Sequence, residues 1–390
     1  MNQGRYVFAQ FKDFFPRYDF DKCVLKYNGD YRVRSFNCWS QLLCLVFGQL
    51  THRESLRDIV TCLNSRGSSL YHLGIKGGVS RSTLLDANQR RDWRIYADFA
   101  QILMKEAKAL YQGDSNIDLE LDQSVYAIDS SLIHLCLNTF FWAKYRKTTS
   151  AVKVHTVLDV KTALPVHFSV TDGLSSDMNL LSQLFFEPGS FYVMDRGYTH
   201  FEQLYRIEQC KANFVIRAKS ALKFRRQYSN PCKEYPNIIC DQIGVFTVPQ
   251  TKKKYPQKVR RIKSKDADTG KTIILLTNNM VLKPDVIADL YRHRWRIEIF
   301  FRWIKQHLRI KVFWGESENA VMTQIWVAVS AYLLVAIMKK KLKIPQSLHE
   351  ILQILSVSLL DKVPMNQLFT ESALQKADYN SSNQLNIFDL

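Results

Sequence analysis

The sequence predicts an α/β chain: a mixed sheet core, interrupted by a basic β-rich insertion, with helical regions at both ends. Three observations carry this reading. Apolar residues recur at three- and four-residue spacing up to about residue 112 and again after Pro284. Between those regions, short β-type runs come first as neighbours and then alternate with helical segments. Finally, Arg217 to Lys271 loses helical periodicity and carries fifteen Lys or Arg against four acids, a surplus of +11.

Composition bounds the function. At roughly 150 residues per domain, 390 residues imply two or three domains. With 46% hydrophobic and 12% aromatic residues, the chain can bury a core, which excludes a disordered protein. The net charge of +18 points to a polyanionic partner, nucleic acid or an acidic membrane surface. The eight cysteines form no C-x-x-C pair, and no His pair has zinc-ligand spacing, so the thiols fit a reducing cytoplasm. MNQGRYVFAQFKDFFPR lacks the layout of a signal peptide. Ile325 to Met338 is apolar, but 14 residues fall short of the roughly 20 that a membrane span needs, so a buried helix and no membrane partner are expected.

In chain order, residues 1–115 read as a helical domain, with helices in Trp39–Leu50, Glu54–Leu63, 79–94 and Trp93–Tyr111. Thr51 and Glu54 have capping-box spacing. Short helices, tight turns and Arg near helix starts suit a DNA-binding module. GDSNIDLELD (113–122) reads as a linker. SVYAID, VKVHTVLDV, LPVHFSV, SFYVMD and NFVIRAK read as strands, with helices around Asn179–Phe186 and His200–Gln209 among the later ones. In the basic stretch, Lys252, Lys253 and Lys254 open the densest run, and Tyr228, Tyr235, Phe246 and Tyr255 lie among the charges. Such mixing favours a nucleic-acid face, where cations meet phosphates and rings stack on bases. Phe141 and Trp142, followed by Lys144, Arg146 and Lys147, are read as a second DNA-facing loop or as buried rings beside solvated cations. A long helix is expected from Asp285 to about Lys311, then the apolar helix, then an amphipathic one over 346–360. The tail ADYNSSNQLNIFDL is polar and expected to fray.

The long helix carries the chemistry. At 100° per residue, Tyr291, Arg294, Glu298, Arg302, Lys305 and Arg309 share one polar face, while Leu290, Ile297, Phe301, Ile304 and Leu308 form the apolar stripe. Glu298 taken alone is a helix salt-bridge partner of Arg294 or Arg302. Asp129 and Asp195, each ending a strand, are taken alone turn residues. Asp122, Asp159, Asp172 and Asp177 are read as structural, as are His134, His155 and His167. Together, however, Asp129, Asp195 and Glu298 form a set of hard oxygen ligands suited to Mg²⁺ or Mn²⁺. Two such ions activate a water or 3′-hydroxyl in phosphodiester displacement. The cations on the same helix face would hold DNA phosphates against them.

Tyr291-x2-Arg294-x3-Glu298-x6-Lys305, with DRGY at 195–198 and IDS at 128–130, resembles the insertion-sequence DDE transposases of the family numbered four. The resemblance runs from about residue 35 to 340. It implies a ribonuclease-H-like core in residues 120–217 and 273–315, an insertion over 218–272 and a C-terminal helical region over 316–390. It implies that Asp129, Asp195 and Glu298 are the catalytic metal ligands for two Mg²⁺ or Mn²⁺ ions. Tyr291, Arg294 and Lys305 would contact phosphates near the cleaved end, with Arg302 and Lys252 to Lys254 as further DNA contacts. The implied partners are double-stranded transposon-end and target DNA and a second copy of the chain in a synaptic complex, in a bacterial cytoplasm at the nucleoid. Some relatives stack a tryptophan of the insertion on a flipped base. Residues 217–283 hold no Trp, leaving Tyr228, Phe246, Tyr255, Trp295 or Trp303 for that role. Two other readings stand beside it: a catalytically silent DNA-binding regulator derived from a transposase, and a nuclease that does not join ends.

Overall fold

The computed structural model describes residues 4–370 except 116–120, 137–138, 147–148, 220–221, 266–269, 309 and 311. Most of the linker's acidic centre, Lys147, Arg309, Lys311 and the C-terminal tail therefore lie outside the described residues. By contacts the chain divides into two compact units, residues 1–111 with 304–390, and residues 112–303.

The first unit is helical. Its N-terminal part holds α1 (Val7–Phe11), α2 (Arg17–Lys26), α3 (Cys38–Leu50), α4 (Leu56–Asn64), α5 (Arg81–Arg90) and α6 (Arg94–Leu110). Asn37 caps α3 by accepting from the Ser40 N–H, and every residue of α3 is buried. The Thr51–Glu54 capping box does not form. Helix α3 runs on to Leu50, and its last turn captures the Thr51 hydroxyl, which donates to the Phe47 carbonyl at 2.7 Å. The box forms one turn later. Ser55 Oγ accepts from the Asp58 N–H at 3.2 Å, and the Asp58 carboxylate accepts from the Ser55 N–H at 3.0 Å. At Gly48 a Cβ would meet Ile59 Cδ1 at 2.4 Å and Trp314 Cη2 at 2.8 Å, so only glycine lets these elements close.

The second unit is built on one ten-stranded sheet. The strands are β1 (Val125–Leu135), β2 (Lys144–Arg146), β3 (Thr149–Asp159), β4 (Leu164–Asp172), β5 (Phe191–Met194), β6 (Asn213–Arg217), β7 (Phe224–Asn230), β8 (Ile238–Phe246), β9 (Val259–Lys265) and β10 (Thr272–Thr277). Helices α7 (Met178–Gln183), α8 (Phe201–Gln209) and α9 (Pro249–Lys254) lie between strands, and α10 (Pro284–Arg292) and α11 (Trp295–His307) follow them. β1, β3 and β4 pair antiparallel, while β5 and β6 run parallel to β1. The resulting order β4-β3-β1-β5-β6 is the ribonuclease-H-like arrangement. β10 then pairs antiparallel with β6, and β9, β8 and β7 follow, so the insertion prolongs the same sheet as an antiparallel meander.

Strand alternation separates two faces. Tyr126, Ile128, Tyr192, Met194, Phe214, Ile216 and Leu276 point to one side. There they form an apolar core with Leu180 and Leu181 of α7, Leu204 and Ile207 of α8, and Tyr255. Asp129, Asp195 and Arg217 fall on the other side by the same alternation, where α10 packs through buried Ile287 and Leu290.

The helix expected from Asp285 to Lys311 is two helices. Arg294, Arg296 and Ile297 donate to carbonyls three residues back, at 3.1, 3.1 and 3.2 Å, in place of the four-residue ladder. The helical wheel therefore breaks between Tyr291 and Trp295. The boundary between the units falls inside α11, at residues 303 and 304.

The last helices belong to the helical unit: α12 (Glu318–Lys341) and α13 (Leu348–Ser358). At 24 residues α12 extends past the 14-residue apolar stretch and is long and apolar enough to cross a membrane, yet its apolar window is 100% buried. It packs on α3 and α6, and Tyr111 Oη donates to the Ala336 carbonyl at 2.9 Å. Its apolarity is that of a core helix.

Candidate active site

The last β1–β5 pair is Ile128 with Met194. The next residue on each strand is an aspartate. Asp129 and Asp195 thus stand at one level and on one face, just past the last β1–β5 pair. The expected strand end at Asp129 is not one, because β3 stays paired with β1 as far as Leu135. Asp129 stays on β1, opposite Thr156 of β3, and its Oδ1 accepts from the Ser130 N–H at 2.8 Å. Asp195 precedes a single 3₁₀ turn, residues 196–198, whose Tyr198 N–H bonds back to the Asp195 carbonyl at 3.0 Å.

The helix side closes on these carboxylates. Tyr291, at the end of α10, donates its hydroxyl to Asp195 Oδ1 at 3.5 Å. Arg294, in the break, bonds Glu298 Oε1 of α11 through Nη2 at 2.6 Å and reaches Asp129 Oδ2 through Nη1 at 3.5 Å. One guanidinium therefore joins a strand carboxylate to a helix carboxylate. It is only 14% exposed, and its Nε is buried with no hydrogen-bond partner among the described residues. The 3.5 Å contacts are at the outer limit of hydrogen bonding, so the 2.6 Å bond carries most of the order.

Burial pushes the Asp129 carboxyl up to about 6. The Ser130 N–H and Arg294 oppose that rise, and the nearby charges of Glu298 and Asp195 add to it. Burial likewise raises the Tyr291 hydroxyl. For Arg294, burial works against the cation, but the bond to Glu298 and the surrounding negative groups outweigh it and hold it charged. Three carboxylates share the site with Arg294 and with Arg217, which is near enough to act on Tyr291, for a local charge of −3 + 2 = −1. Among the described residues, no three His, Cys, Asp or Glu side chains are gathered closely enough to hold a metal ion as they stand. The donor set nevertheless fits Mg²⁺ or Mn²⁺: hard oxygens, no Cys or His, and a net negative charge.

Other expected residues lie elsewhere. Arg302 is exposed on α11 with its guanidinium 5.8 Å from the Trp295 ring centre, and Lys305 is half-buried in the last turn of α11. Lys252, Lys253 and Lys254 end α9 and are exposed, Lys254 pairing with Glu202 at 3.1 Å. Arg260, counted among the basic run, is internal. It forms a two-point bond with Asp241 at 2.8 and 2.7 Å, and both side chains are at most 4% exposed. Phe246 and Tyr255, named as candidate stacking rings, are buried in the core beside α8, which corrects that expectation. Tyr228 (59% exposed) and Trp295 (49%) remain open, as does Phe141 beside Lys144 and Arg146. Sequence reasoning set Asp177 aside as structural. Here it accepts from Ser130 Oγ at 2.7 Å, and the only signal in the sequence was the Ser directly after Asp129.

Residues 120–334 match the family described as the transposase DDE domain. The chain belongs to this family. The transposase is 35% identical over 257 residues to "Putative transposase y4zB" of Sinorhizobium fredii, covering 65% of this chain and 70% of that one. It is 31% identical over 222 residues to "Probable transposase for insertion sequence element IS5377" of Geobacillus stearothermophilus, covering 55% and 57%. Against "Putative transposase for insertion sequence element IS4SA" of Synechocystis, identity is 23% over 355 residues, covering 89% and 94%. Residues 3–76 match a second family described only as a domain of unknown function. Among solved structures, the piggyBac transposase synaptic complex with hairpin DNA covers 96% of this chain and 84% of its own, at 12% identity and a TM-score of 0.49. The transposase is therefore an insertion-sequence DDE enzyme that catalyses DNA cleavage and strand transfer, and the family implies divalent-metal catalysis.

Proposed function

We propose that the transposase binds the terminal inverted repeats of its own insertion sequence, cleaves the ends by phosphodiester displacement and joins the 3′ ends to target DNA. It does so as a homodimer in a synaptic complex, in the bacterial cytoplasm at the nucleoid. The observation that carries the reading is the pair of aspartates on one face, just past the last β1–β5 pair, with Arg294 tying the first of them to Glu298. Asp129, Asp195 and Glu298 would hold two Mg²⁺ or Mn²⁺ ions. When bound, these supply an acidified water or 3′-hydroxyl and charge stabilisation of the leaving oxygen.

The chain's own groups do the rest. Arg294 holds the Asp129 and Glu298 carboxylates towards each other. Tyr291 orients Asp195. Arg302, Lys305, Lys252 and Lys253 contact the DNA backbone. In the helical unit, α5 opens with the Ser80 cap and exposes Arg81, Ser82, Thr83, Asp86, Gln89 and Arg90 while burying Leu84, Ala87 and Asn88. These exposed types hydrogen-bond base edges and phosphates, which suits α5 to a DNA groove. The test is cleavage of DNA matching the ends that flank the reading frame. Asp129→Ala, Asp195→Ala and Glu298→Gln should each abolish cutting while leaving end binding intact. Cleavage retained in any of them refutes the assignment. Joining of pre-cut ends separates a transposase from a plain nuclease, and a wild-type chain that binds but never nicks would be the silent regulator.

A further inference from the structure

The face of the sheet opposite Asp129 is apolar across most of its width, but it turns polar directly behind the active site. Ser130 points there by strand alternation, and its Oγ donates to Asp177 Oδ1 at 2.7 Å. Lys153 of β3 lies 3.2 Å from the same oxygen and donates to the Ser175 carbonyl at 2.7 Å. His155, buried and paired with Ser130 in the ladder, sits 3.9 Å from Asp177 through Nδ1 and 2.9 Å from Thr171 Oγ1 through Nε2. The Tyr198 side chain is buried on this side as well.

Asp177 departs from the habit of its neighbours. Asp159 accepts from the N–H groups of Lys161 and Thr162, and Asp172 from those of Leu174 and Ser175, so both serve turns. Asp177 stands at the N-cap of α7 yet makes no capping bond, and the Met178 N–H bonds the Ser176 hydroxyl instead, at 3.3 Å. An N-cap aspartate normally spends its carboxylate on the first free N–H groups of its helix. This one is turned to Ser130 and Lys153. Stability alone does not explain the arrangement, since the Asp177 side chain is 38% exposed and ion pairs open to solvent add little to stability.

We propose that Asp177 is a positioning residue for Asp129, acting through Ser130 from the opposite face of the sheet. Ser130 is gripped at two points: its hydroxyl by Asp177, and its N–H by Asp129 Oδ1 at 2.8 Å. Fixing Ser130 fixes the donor that orients one Asp129 oxygen and leaves Oδ2 on the Arg294 side, where a cation would bind. No proton moves in this role. The proposal rests on the reading of Asp129 as a metal ligand.

The test is Mn²⁺ titration of the full-length transposase on its end DNA, with free ion read by electron paramagnetic resonance. Outer-shell changes typically weaken metal binding about 10–100-fold, so Asp177→Ala and Ser130→Ala should each weaken it about 10-fold or more with DNA affinity and melting temperature near wild type. Asp177→Asn, which keeps an acceptor oxygen, should recover most of the loss. Wild-type Mn²⁺ affinity in Ser130→Ala and Asp177→Ala, alongside weakened binding in Asp129→Asn, overturns the positioning role alone. Unchanged affinity in Asp129→Asn overturns the metal reading and this proposal with it. Should Asp177→Ala fail to fold, Ser130→Ala decides by itself, since it removes one hydroxyl and no charge.

Discussion

Burial of Asp129 makes the metal-free active site a source of pH-dependent instability. Its carboxyl is raised from the ordinary 3.8 to about 6. Between those values the folded chain keeps a proton that the unfolded chain has released, so stability falls as pH rises through the window. The contribution is fully present below about pH 4 and lost above about pH 6. About two pH units at roughly 1.36 kcal/mol each give a cost of about 3 kcal/mol at neutral pH. For a unit of this size that is roughly 6–12 °C in melting temperature. The comparison is wild type against Asp129→Asn, in EDTA, by melting from pH 4 to 8. The variant should melt higher at pH 8, and the gap should close towards pH 4, because the other acids titrate alike in both. Added Mn²⁺ should raise the wild type and leave the variant unmoved. A gap constant with pH refutes the burial argument.

Three further outcomes follow from named side chains. Arg294→Ala leaves Asp129 and Glu298 without their shared cation and should cost about 2–3 kcal/mol in melting or denaturant experiments, as hydrogen bonds between charged groups do; an unchanged melt would mean that the bridge is absent in solution. Asp241→Ala strands the buried Arg260 guanidinium and should cost about 3–5 kcal/mol, whereas Lys253→Ala should be neutral for stability, which denaturant midpoints will show. Neutralising Lys252 and Lys253 should flatten the dependence of log K on log salt in end-binding assays, by about 0.9 for each phosphate left without its cation. Lys254, already paired with Glu202, should contribute less, and an unchanged slope would place the run in solvent.

The sheet was legible because β-type runs and intervening helices have distinct periods, and β1 and β3 to β6 fall where the runs lie, whereas β2 falls in the segment read as a loop. The two aspartates were legible as residues that end apolar runs, and Glu298 as the acid on a basic helix face. Their surroundings were not. The break at Arg294 depends on local i→i+3 bonding that a uniform wheel conceals, and it is this residue that reaches across to Asp129. The basic insertion reads as one charged surface in sequence, yet pairing across β8 and β9 turns Arg260 inward against Asp241 and buries Phe246 and Tyr255. Asp177 was hidden for a similar reason: whether a strand-end acid caps its own turn or reaches a distant serine is decided by tertiary packing, not by spacing. The shift of the capping box from Thr51 to Ser55 shows the same limit, since both sites fit the pattern and the end of α3 chooses between them.

The measurement closest to the central claim is anomalous diffraction from crystals of the transposase on its terminal DNA, grown with Mn²⁺. The account predicts manganese peaks in contact with Asp129, Asp195 and Glu298, with Arg294 turned towards a phosphate. Well-ordered end DNA with no manganese among these three side chains would contradict it.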